Sequence, residues 1–265
     1  MHRVKVIVHG AAGKMGQEVL KALCQDPELE AVGAADVKAD RNVLPLPDGS
    51  GQIPYSSKLE EILAKCHPDV MVDFTVAEAT MPAVRLAARQ GVNLVIGTTG
   101  LSPSDIAEIG NLCQEGKLGA VAAPNFSLGA VLMMHLAKLA ARYFDYAEII
   151  EMHHEGKADA PSGTSLATAR AMIEERGRAF RHPDLKRETL SGTRGGETGG
   201  IAIHSVRLPG LLAHQEVILG ALGQTLTIRH DSISRESFMP GVVMAIKHVV
   251  KTKGMVFGLE NLLGL

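Results

Sequence analysis

Apolar and polar positions follow two different periods in the first half of the chain. Short apolar runs, typical of buried strands, alternate with stretches whose apolar residues recur at helical spacing. Such alternation predicts a parallel sheet covered by helices. The predicted strands are 4–8, 31–35, 69–74, 93–96 and 119–123, and the predicted helices run from Met15 to near Asp26, over 58–65 and 77–90, and onward from Ser102-Pro103.

The second half has a different pattern, in which strand-like runs outnumber helices. Turns at Pro209-Gly210 and Gly220-Ala221-Leu222-Gly223 separate three of these runs and indicate hairpins. We therefore expect an α+β unit with a mixed or largely antiparallel sheet. The predicted strands are 145–152, 201–208, 215–219 and 224–230, and the predicted helices are 128–143, 165–176 and, last in the chain, 239–251.

Two stretches are predicted to lack regular structure. Residues 41–57 contain three prolines and two glycines, which indicates a surface loop. Residues 177–200 are charged and glycine-rich, which indicates a mobile loop, with a lid over a substrate as one interpretation.

The length of 265 residues favours two domains. We expect a Rossmann-like dinucleotide-binding domain over 1–126 and 236–265, because the last helix is predicted to return to it. Residues 127–235 are expected to form a substrate-binding and oligomerisation domain.

Composition excludes several classes of function. A net charge of −2 without long blocks of one sign argues against nucleic acid as a partner. Three cysteines, far apart and without a Cys-x-x-Cys pair, fit reduced thiols. No apolar run reaches the ~20 residues of a membrane span, and the N-terminus leads directly into a strand. We therefore predict a soluble, cytoplasmic protein without a signal peptide.

A glycine-rich turn joins the first predicted strand to the first helix. Gly10, Gly13 and Gly16 lie in this turn, and Asp36 ends the second strand twenty residues after Gly16. Strand, glycine turn, helix, strand and acid form the dinucleotide-binding pattern. The spacing G-x-x-G-x-x-G is not the commoner G-x-G-x-x-G, so the pattern depends on its context, and a turn that binds nothing is the alternative.

The adenosine end of a dinucleotide gives two expectations. Asp36 is placed to accept hydrogen bonds from ribose hydroxyls, which favours NADH. Lys14 and Lys38 lie near enough in sequence to hold a 2′-phosphate, although both fit equally well as solvated lysines. We expect the protein to use NADH and NADPH with weak discrimination.

Small or polar residues follow three further strands of the predicted parallel sheet. They are Phe74-Thr75, Gly97-Thr98-Thr99 and Pro124-Asn125-Phe126. Because the carboxyl ends of parallel strands meet at one edge, we expect the nicotinamide half of the cofactor there.

A polar cluster lies between the strand over 145–152 and the helix over 165–176. His153 and His154 are able to donate protons near neutrality, and Lys157 is a compact cation for an anionic substrate. Backbone N–H groups from Ser162 to Ser165 begin the helix and are suited to a carboxylate or phosphate. Adjacent histidines and an ordinary N-cap are the alternative interpretation. No metal site is expected, because the 11 histidines show no ligand spacing with a cysteine or carboxylate.

Together these motifs closely resemble the 4-hydroxy-tetrahydrodipicolinate reductase (dihydrodipicolinate reductase) family along essentially the whole chain. The resemblance is carried by the glycine turn, by Asp73-Phe74-Thr75, Gly97-Thr98-Thr99-Gly100 and Ala123-Pro124-Asn125-Phe126-Ser127, and above all by the stretch from Glu151 to Thr164. It implies reduction of a cyclic dicarboxylic imine with NADH or NADPH in lysine and diaminopimelate synthesis, by a homotetramer assembled through the second domain.

The resemblance also implies roles for individual residues. His153 and Lys157 match catalytic positions. The matched substrate-binding positions are His154, Lys157, Gly163 and Thr164, and the helix-start pattern adds Ser162. The matched cofactor positions are Gly10, Ala11, Ala12, Gly13, Lys14, Met15, Gly16, Asp36, Gly97, Thr98, Thr99, Ala123, Pro124, Asn125 and Phe126. The residue pattern at the adenosine end and at the strand ends adds Lys38, Phe74 and Thr75. Glu155-Gly156 stands where some relatives carry basic residues, which lowers the local positive charge.

Two other functions stay open at this point. A dehydrogenase of another amino-dicarboxylate, such as aspartate, would share the first domain, but the pattern from Lys157 to Thr164 argues against it. A non-catalytic nicotinamide-nucleotide sensor would need the glycine turn and would have no use for the His153–Lys157 cluster.

Overall fold

The computed structural model describes residues 3–265, which form two compact units. The first unit runs to Leu128 and resumes at Phe238, and the second unit is Gly129–Ser237. The strands are β1 Val4–His9, β2 Leu29–Ala35, β3 Val43–Pro45, β4 Gln52–Ser56, β5 Val70–Asp73, β6 Asn93–Ile96, β7 Gly119–Ala122, β8 Tyr146–His153, β9 Gly196–Thr198, β10 Ile201–Arg207, β11 Ala213–Ala221, β12 Gln224–Ser232 and β13 Gly254–Phe257. The α-helices are α1 Lys14–Gln25, α2 Leu59–Cys66, α3 Ala77–Arg89, α4 Pro103–Gly116, α5 Leu128–Ala140, α6 Gly163–Arg176, α7 Met239–Val249 and α8 Leu259–Leu263.

The first unit is built on a sheet of eight strands within the described residues, in the order β13-β7-β6-β5-β1-β2-β4-β3. Neighbouring strands are parallel except β3, which pairs antiparallel with β4. The central strands are short and aliphatic, because a parallel strand covered on both faces has no polar side. In β5, for example, all four residues are buried. The predicted Rossmann-like fold is confirmed.

Local sequence determines where α4 begins. Ser102 caps α4 by accepting a hydrogen bond from the Asp105 N–H, and the Asp105 carboxylate in turn accepts from the Ser102 N–H. Pro103 occupies the first helical position, where its missing N–H costs nothing. This predicted start of α4 is confirmed.

The expectation of a loop over 41–57 is wrong. Residues 43–45 and 52–56 form the β3–β4 hairpin, and β4 extends the parallel sheet beside β2. Prolines are tolerated in these strands because both lie at or next to the edge of the sheet, where fewer N–H groups are needed for pairing.

The end of the chain also differs from the prediction. The helix over 239–251 is present as α7, but it is not the last element. Strand β13 pairs in parallel with β7 at the edge of the sheet, and α8 follows it.

The second unit contains a mixed sheet in the order β12-β11-β8-β10-β9. One face carries Ile149, Ile203 and Val217 into a core shared with Met172 of α6 and Ala137 of α5. The predicted α+β class with a mixed sheet is therefore confirmed.

One predicted hairpin is wrong. The runs 201–208 and 215–219 are not neighbours, because β8 lies between β10 and β11 and pairs in parallel with β10. The hairpin between β11 and β12 is present as predicted. The misassigned turn matters, since the pairing of β8 with β10 places Arg207 beside His153.

The stretch 177–200 is irregular over most of its length but not throughout. Residues 196–198 form β9, and Phe180 is buried in the core beneath the Arg176 guanidinium. Within residues 3–265, the helices are all too short or too polar to cross a membrane.

Candidate functional site

One group of candidate site residues lies along the carboxyl edge of the parallel sheet in the first unit. His9 of β1 is in register with Asp73 of β5, and Asp73 is in register with Ile96 of β6. Ile96 is in turn aligned with Ala122 of β7. The segments that follow these strands therefore leave the sheet side by side, as the sequence predicts for a nucleotide site.

The glycine turn is packed too closely for side chains. Gly10 has a φ of +85°, and a Cβ added to it would lie 2.4 Å from the Phe74 carbonyl oxygen. A Cβ on Gly16 would lie 2.2 Å from the Gly10 carbonyl oxygen. Gly13 is less confined, with 3.2 Å to the same oxygen. The turn and the first turn of α1 thus form a backbone cradle, which is the surface that a pyrophosphate requires.

Asp36 is tied to this cradle. Its carboxylate accepts a hydrogen bond from the Ala12 N–H at 2.9 Å and another from the Lys38 N–H at 2.9 Å. These bonds hold Asp36 beside the glycine turn and leave each oxygen able to accept a further bond. The side chains of Lys14 and Lys38 are exposed. Asp36 is thus available to ribose hydroxyls, and the two lysines are available to a 2′-phosphate. The structure therefore agrees with both expectations for the adenosine end.

Two aromatic rings pack between the segments that follow β5, β6 and β7. The Phe74 ring covers Gly97, where a Cβ would lie 2.0 Å from a ring carbon, and it meets Phe126 edge to face with centroids 6.0 Å apart. Phe126 and Ala123 are both buried. Thr99 and Pro124 are exposed, while Asn125 accepts a hydrogen bond from the Ser127 N–H at 2.8 Å.

Asp73 connects the same strand ends, although sequence reasoning gave it no role in the site. It is fully buried, and its carboxylate accepts hydrogen bonds from Thr75 at 2.9 Å, Thr80 at 2.6 Å and Thr98 at 2.8 Å. His9 Nδ1 lies 2.7 Å from the same carboxylate. Burial acts to raise the pKa of Asp73, but the bonds from His9, Thr80 and Thr98 outweigh burial and lower that pKa.

A cleft of about 290 Å³ opens beside His9 in the first unit. One wall is apolar and comes from Leu59 of α2 and from α3, where Ala79, Pro82, Ala83 and Leu86 line it; Lys58 and Glu60 also line the cleft. A cleft with an apolar wall next to the glycine cradle is suited to a flat ring such as adenine.

A second group of candidate site residues lies in the second unit, between the end of β8 and the start of α6. His153 is the last residue of β8, and Ser162 is the N-cap of α6. The Ser162 hydroxyl accepts from the Ser165 N–H at 3.2 Å, and no acidic residue stands in the first turn of α6. Gly163 and Thr164 therefore begin a helix whose N-terminus carries no negative charge, which suits an anion.

His153 is held by a carboxylate. Its Nδ1 lies 2.5 Å from Glu151 Oε2, and Glu151 is completely buried. Burial lowers the pKa of His153, while Glu151 acts to raise it and the charges of Lys157 and Arg207 act to lower it. The net result is a histidine whose pKa lies below its usual value.

Arg207 neutralises Glu151 through two parallel hydrogen bonds. Arg207 Nη1 donates to Glu151 Oε2 at 2.9 Å, and Arg207 Nη2 donates to Glu151 Oε1 at 2.8 Å. Burial acts to raise the pKa of Glu151, but the bonds from Arg207, Ser205 and His153 outweigh it and lower that pKa. Glu151 is therefore charged at neutral pH.

Lys157 is paired in a similar way. Its ammonium lies 2.6 Å from Asp159 Oδ1, and the Asp159 carbonyl accepts a hydrogen bond from Arg207 Nη2 at 2.6 Å. His153 and Lys157, the two predicted catalytic residues, are thus linked to the same arginine. His154 is half-buried and its carbonyl accepts from the Lys157 N–H at 3.1 Å, while Glu155 and Gly156 are exposed.

Groups of three or more histidine, cysteine, aspartate or glutamate side chains with a metal-binding arrangement are absent from the described part of the chain.

Comparison with known proteins agrees with this geometry. Residues 4–126 match the family model "Dihydrodipicolinate reductase, N-terminus", and residues 129–263 match "Dihydrodipicolinate reductase, C-terminus". The chain belongs to the dihydrodipicolinate reductase family. The predicted family is therefore confirmed, and neither a dehydrogenase of another amino-dicarboxylate nor a nucleotide sensor is favoured.

Individual relatives cover the whole chain. A 4-hydroxy-tetrahydrodipicolinate reductase of Dehalococcoides mccartyi is 61% identical over 100% of both chains, and that of Moorella thermoacetica is 51% identical over 98% of each. A solved structure of dipicolinate-bound dihydrodipicolinate reductase from Paenisporosarcina sp. TG-14 is 42% identical, with a TM-score of 0.85 over 98% of this chain and 99% of that one. An amine dehydrogenase of Mycobacterium smegmatis, 17% identical over 96% and 94% of the two chains with a TM-score of 0.65, shares the fold alone.

Sequence reasoning missed the groups that hold these side chains in place. It used Asp73, Glu151 and Asp159 only as parts of motifs, and it did not single out Arg207. Glu151 carried a usable signal, because a carboxylate two residues before a strand-end histidine lies on the same face of the strand. Arg207 carried none, since its position depends on the pairing of β8 with β10.

Proposed function

We propose that the protein reduces 4-hydroxy-tetrahydrodipicolinate to tetrahydrodipicolinate with NADH or NADPH, in the synthesis of diaminopimelate and lysine. The observation that carries this proposal is the His153–Lys157 cluster at the start of α6, in a chain whose other unit has a dinucleotide cradle. A nucleotide sensor has no need for a buried carboxylate–histidine pair beside an anion site.

The cofactor fits the residues of the first unit. There is no room for side chains at Gly10 and Gly16, so the backbone there offers a surface for the pyrophosphate. The cleft beside His9, with its wall of α3 residues, would accommodate the adenine ring. Asp36 would accept hydrogen bonds from the ribose, and Lys14 and Lys38 would attract a 2′-phosphate. Phe74, Thr75, Thr98 and Thr99, with the segment from Ala123 to Phe126, would surround the nicotinamide end. When bound, NADH or NADPH supplies the hydride.

The substrate carries two carboxylates, which determine how the second unit would bind it. The relative from Paenisporosarcina binds dipicolinate, a flat ring with two carboxylates. Here Lys157 would bind one carboxylate through its ammonium group, and the N–H groups of Gly163 and Thr164 would bind a carboxylate at the start of α6. Ser162 orders that helix start, and His154, which directly follows His153 at the end of β8, would add a further side chain to the substrate site.

Proton donation follows from the hydrogen bond that His153 already makes. Because Nδ1 is bonded to Glu151, the proton that His153 is able to give away resides on Nε2. Hydride addition leaves negative charge on the substrate, and His153 and Lys157 are the groups that would supply a proton to it.

We also propose that the protein is a cytoplasmic homotetramer assembled through the sheet of the second unit. The face of this sheet opposite the core carries Tyr146 and Val206, which are 39% and 37% exposed, together with Ile150 and Ile218. Sedimentation at micromolar concentration should give four times the mass of one chain. A monomeric mass would contradict the proposed assembly and leave the proposed reaction intact.

The activity test uses substrate made in place, from pyruvate and aspartate semialdehyde by the synthase that precedes this step. Purified protein is added with NADH or NADPH, and cofactor oxidation is followed at 340 nm, the absorbance band of reduced nicotinamide. We expect rapid oxidation that requires the synthase, with both cofactors. No oxidation with either cofactor, both shown to bind, would overturn the substrate assignment, and a preference above a thousandfold would overturn dual cofactor use.

A further inference from the structure

We propose that Glu151 and Arg207 form one positioning unit that holds both reactive groups, His153 and Lys157, in place for proton transfer. In this proposal neither Glu151 nor Arg207 touches the substrate or the cofactor. Each acts through the residue that it positions. This inference rests on the proposed function, because it assigns work to residues of the same site.

The first contact of this positioning unit is the one between Glu151 and His153. Glu151 and His153 lie two residues apart on β8, so their side chains project from the same face of the sheet. Arg207 is in register with His153 on the parallel neighbour β10. Both Glu151 oxygens accept from the Arg207 guanidinium, and Oε2 also meets His153 Nδ1. A carboxylate fixed at both oxygens leaves the imidazole ring one orientation, with Nε2 directed away from Glu151.

The second connection of the positioning unit runs from Arg207 through Asp159 to Lys157. Arg207 Nη2 donates to the backbone carbonyl of Asp159, and the Asp159 carboxylate contacts the Lys157 ammonium. Arg207 therefore fixes the segment from which Lys157 projects. Lysine could not replace it, because a single ammonium cannot form two parallel bonds to Glu151 and still reach the Asp159 carbonyl.

The charged groups around His153 come from three segments. Glu151 lies on β8, Arg207 on β10, and Lys157 and Asp159 on the loop before α6. From β11, the residue opposite His153 is the uncharged Ala213. Among these groups, Glu151 acts to raise the pKa of His153, and Arg207 and Lys157 act to lower it. Removing Glu151 or Arg207 should therefore change the protonation of His153 in opposite directions.

This opposition gives a test that a purely structural role would not satisfy. If protonated His153 is the acid, kcat falls as the pH rises through the pKa of His153. For Glu151→Gln we expect that alkaline limb of kcat to move to lower pH, because the carboxylate that favours imidazolium is gone. For Arg207→Gln we expect it to move to higher pH, because a repelling charge is gone and the charge of Glu151 is no longer shared.

The two variants should also differ in their kinetic constants. Glu151→Gln should lower kcat on the order of 10- to 100-fold with little change in KM, which is part of the 100-fold or more that a positioned general acid contributes. Arg207→Gln should lower kcat and also raise KM for the substrate, because Lys157 loses its support. KM for the cofactor should stay the same in both variants.

Folding is controlled in two ways. Arg207→Gln leaves a buried carboxylate without its partner and is expected to be unstable, whereas the double variant E151Q/R207Q removes both charges and should recover stability. Recovered stability with kcat still low would support the proposal. Arg142→Gln is the matched control, because Arg142 forms an ion pair with Glu175 on the same unit away from the site; its kcat and pH profile should match those of the wild type.

Different results would contradict the proposed function and the positioning role of Glu151 and Arg207. If the wild type does not oxidise the cofactor, the proposed function fails, and the inference is then decided by an NMR titration of the His153 imidazole in the ligand-free protein. Shifts of that titration in opposite directions for E151Q and R207Q would support the positioning unit. If the wild type is active, and E151Q keeps both its kcat and its pH profile, the inference is wrong and the proposed function stands.

Discussion

Two buried carboxylates, one in each unit, hold side chains of the candidate site residues in place. Asp73 accepts hydrogen bonds from Thr75, Thr80 and Thr98, and Glu151 accepts them from Arg207. A buried charge is tolerated only when such partners surround it. Each carboxylate has at least one partner distant in sequence, Thr98 for Asp73 and Arg207 for Glu151. This explains why residue patterns pointed to His153 and Thr98 but not to the groups that orient them.

For Asp73→Asn we predict a loss of about 2–4 kcal/mol in the free energy of unfolding, because hydrogen bonds to a charged acceptor become bonds to a neutral amide. Urea denaturation at pH 7 measures this loss. Asp40→Asn is the control, since Asp40 is exposed and contacts only Arg41 among the pairs found in the described chain. Equal stability of Asp73→Asn and the wild type would contradict the hydrogen-bonding role given to Asp73.

The same variant should show a dependence on pH of known sign. The pKa of Asp73 is lowered in the folded protein, so its contribution to stability is present above the unfolded pKa of about 3.9 and is lost as the pH falls through the lower folded value. The stability difference between wild type and Asp73→Asn should therefore shrink below about pH 4. A constant difference from pH 7 to pH 3 would show that the carboxylate charge is not what stabilises the fold.

Among the elements, those with strong local signals were predictable. Buried strands such as β6 contain an aliphatic run, here Leu94-Val95-Ile96, and α4 begins with a serine–proline cap. The β3–β4 hairpin was missed because its prolines normally indicate a loop, and only its place at the edge of the sheet makes them acceptable. The position of β10 beside β8 was missed because it depends on sheet order, which turn residues do not specify.

For the glycine turn we predict that alanine is tolerated according to the space available. Gly16→Ala should weaken NADH binding and lower stability, because its Cβ would lie 2.2 Å from the Gly10 carbonyl oxygen. Gly13→Ala, with 3.2 Å to the same atom, should have a smaller effect on both. NADH fluorescence titration and thermal denaturation measure the two effects.

Gly110→Ala on α4 is the matched control for this series. A Cβ there has no neighbour within 4 Å among the described atoms, so alanine should raise stability by about 0.5–1 kcal/mol through its higher helix propensity. NADH binding should not change. If Gly16→Ala behaved like Gly110→Ala, the close packing of α1 against the turn would not matter for the cofactor site.

Over the whole molecule, the residues proposed to bind the cofactor and those proposed to bind the substrate belong to different units. The cradle from Gly10 to Gly16 lies in the first unit, and the cluster from His153 to Thr164 lies in the second. Sequence patterns predicted this separation of motifs, because each motif is local. They could not predict which residues support each motif, because the supporting contacts join strands whose order is a property of the folded sheet.

The separation predicts that each ligand protects its own unit first. A ligand that binds only the folded state stabilises the segments that contact it, by about 2.7 kcal/mol at a hundred times its Kd. In hydrogen exchange read by mass spectrometry, NADH should slow exchange in peptides that cover residues 10–16 and 97–99. Dipicolinate, the molecule bound by the Paenisporosarcina relative, should slow exchange in peptides that cover residues 153–165.

Lys157→Met separates this expectation from a general tightening of the protein. The variant removes the ammonium proposed to bind a substrate carboxylate, so protection by dipicolinate should weaken at least tenfold in apparent affinity, on the order of 1.4 kcal/mol. Protection by NADH in the first unit should be unchanged, because Lys157 lies in the second. If dipicolinate protected the glycine turn as strongly as residues 153–165, or if Lys157→Met left its protection intact, then the anion site would have been placed on the wrong residues. The cofactor cradle would still be tested independently, since its own protection depends on NADH and on Gly16.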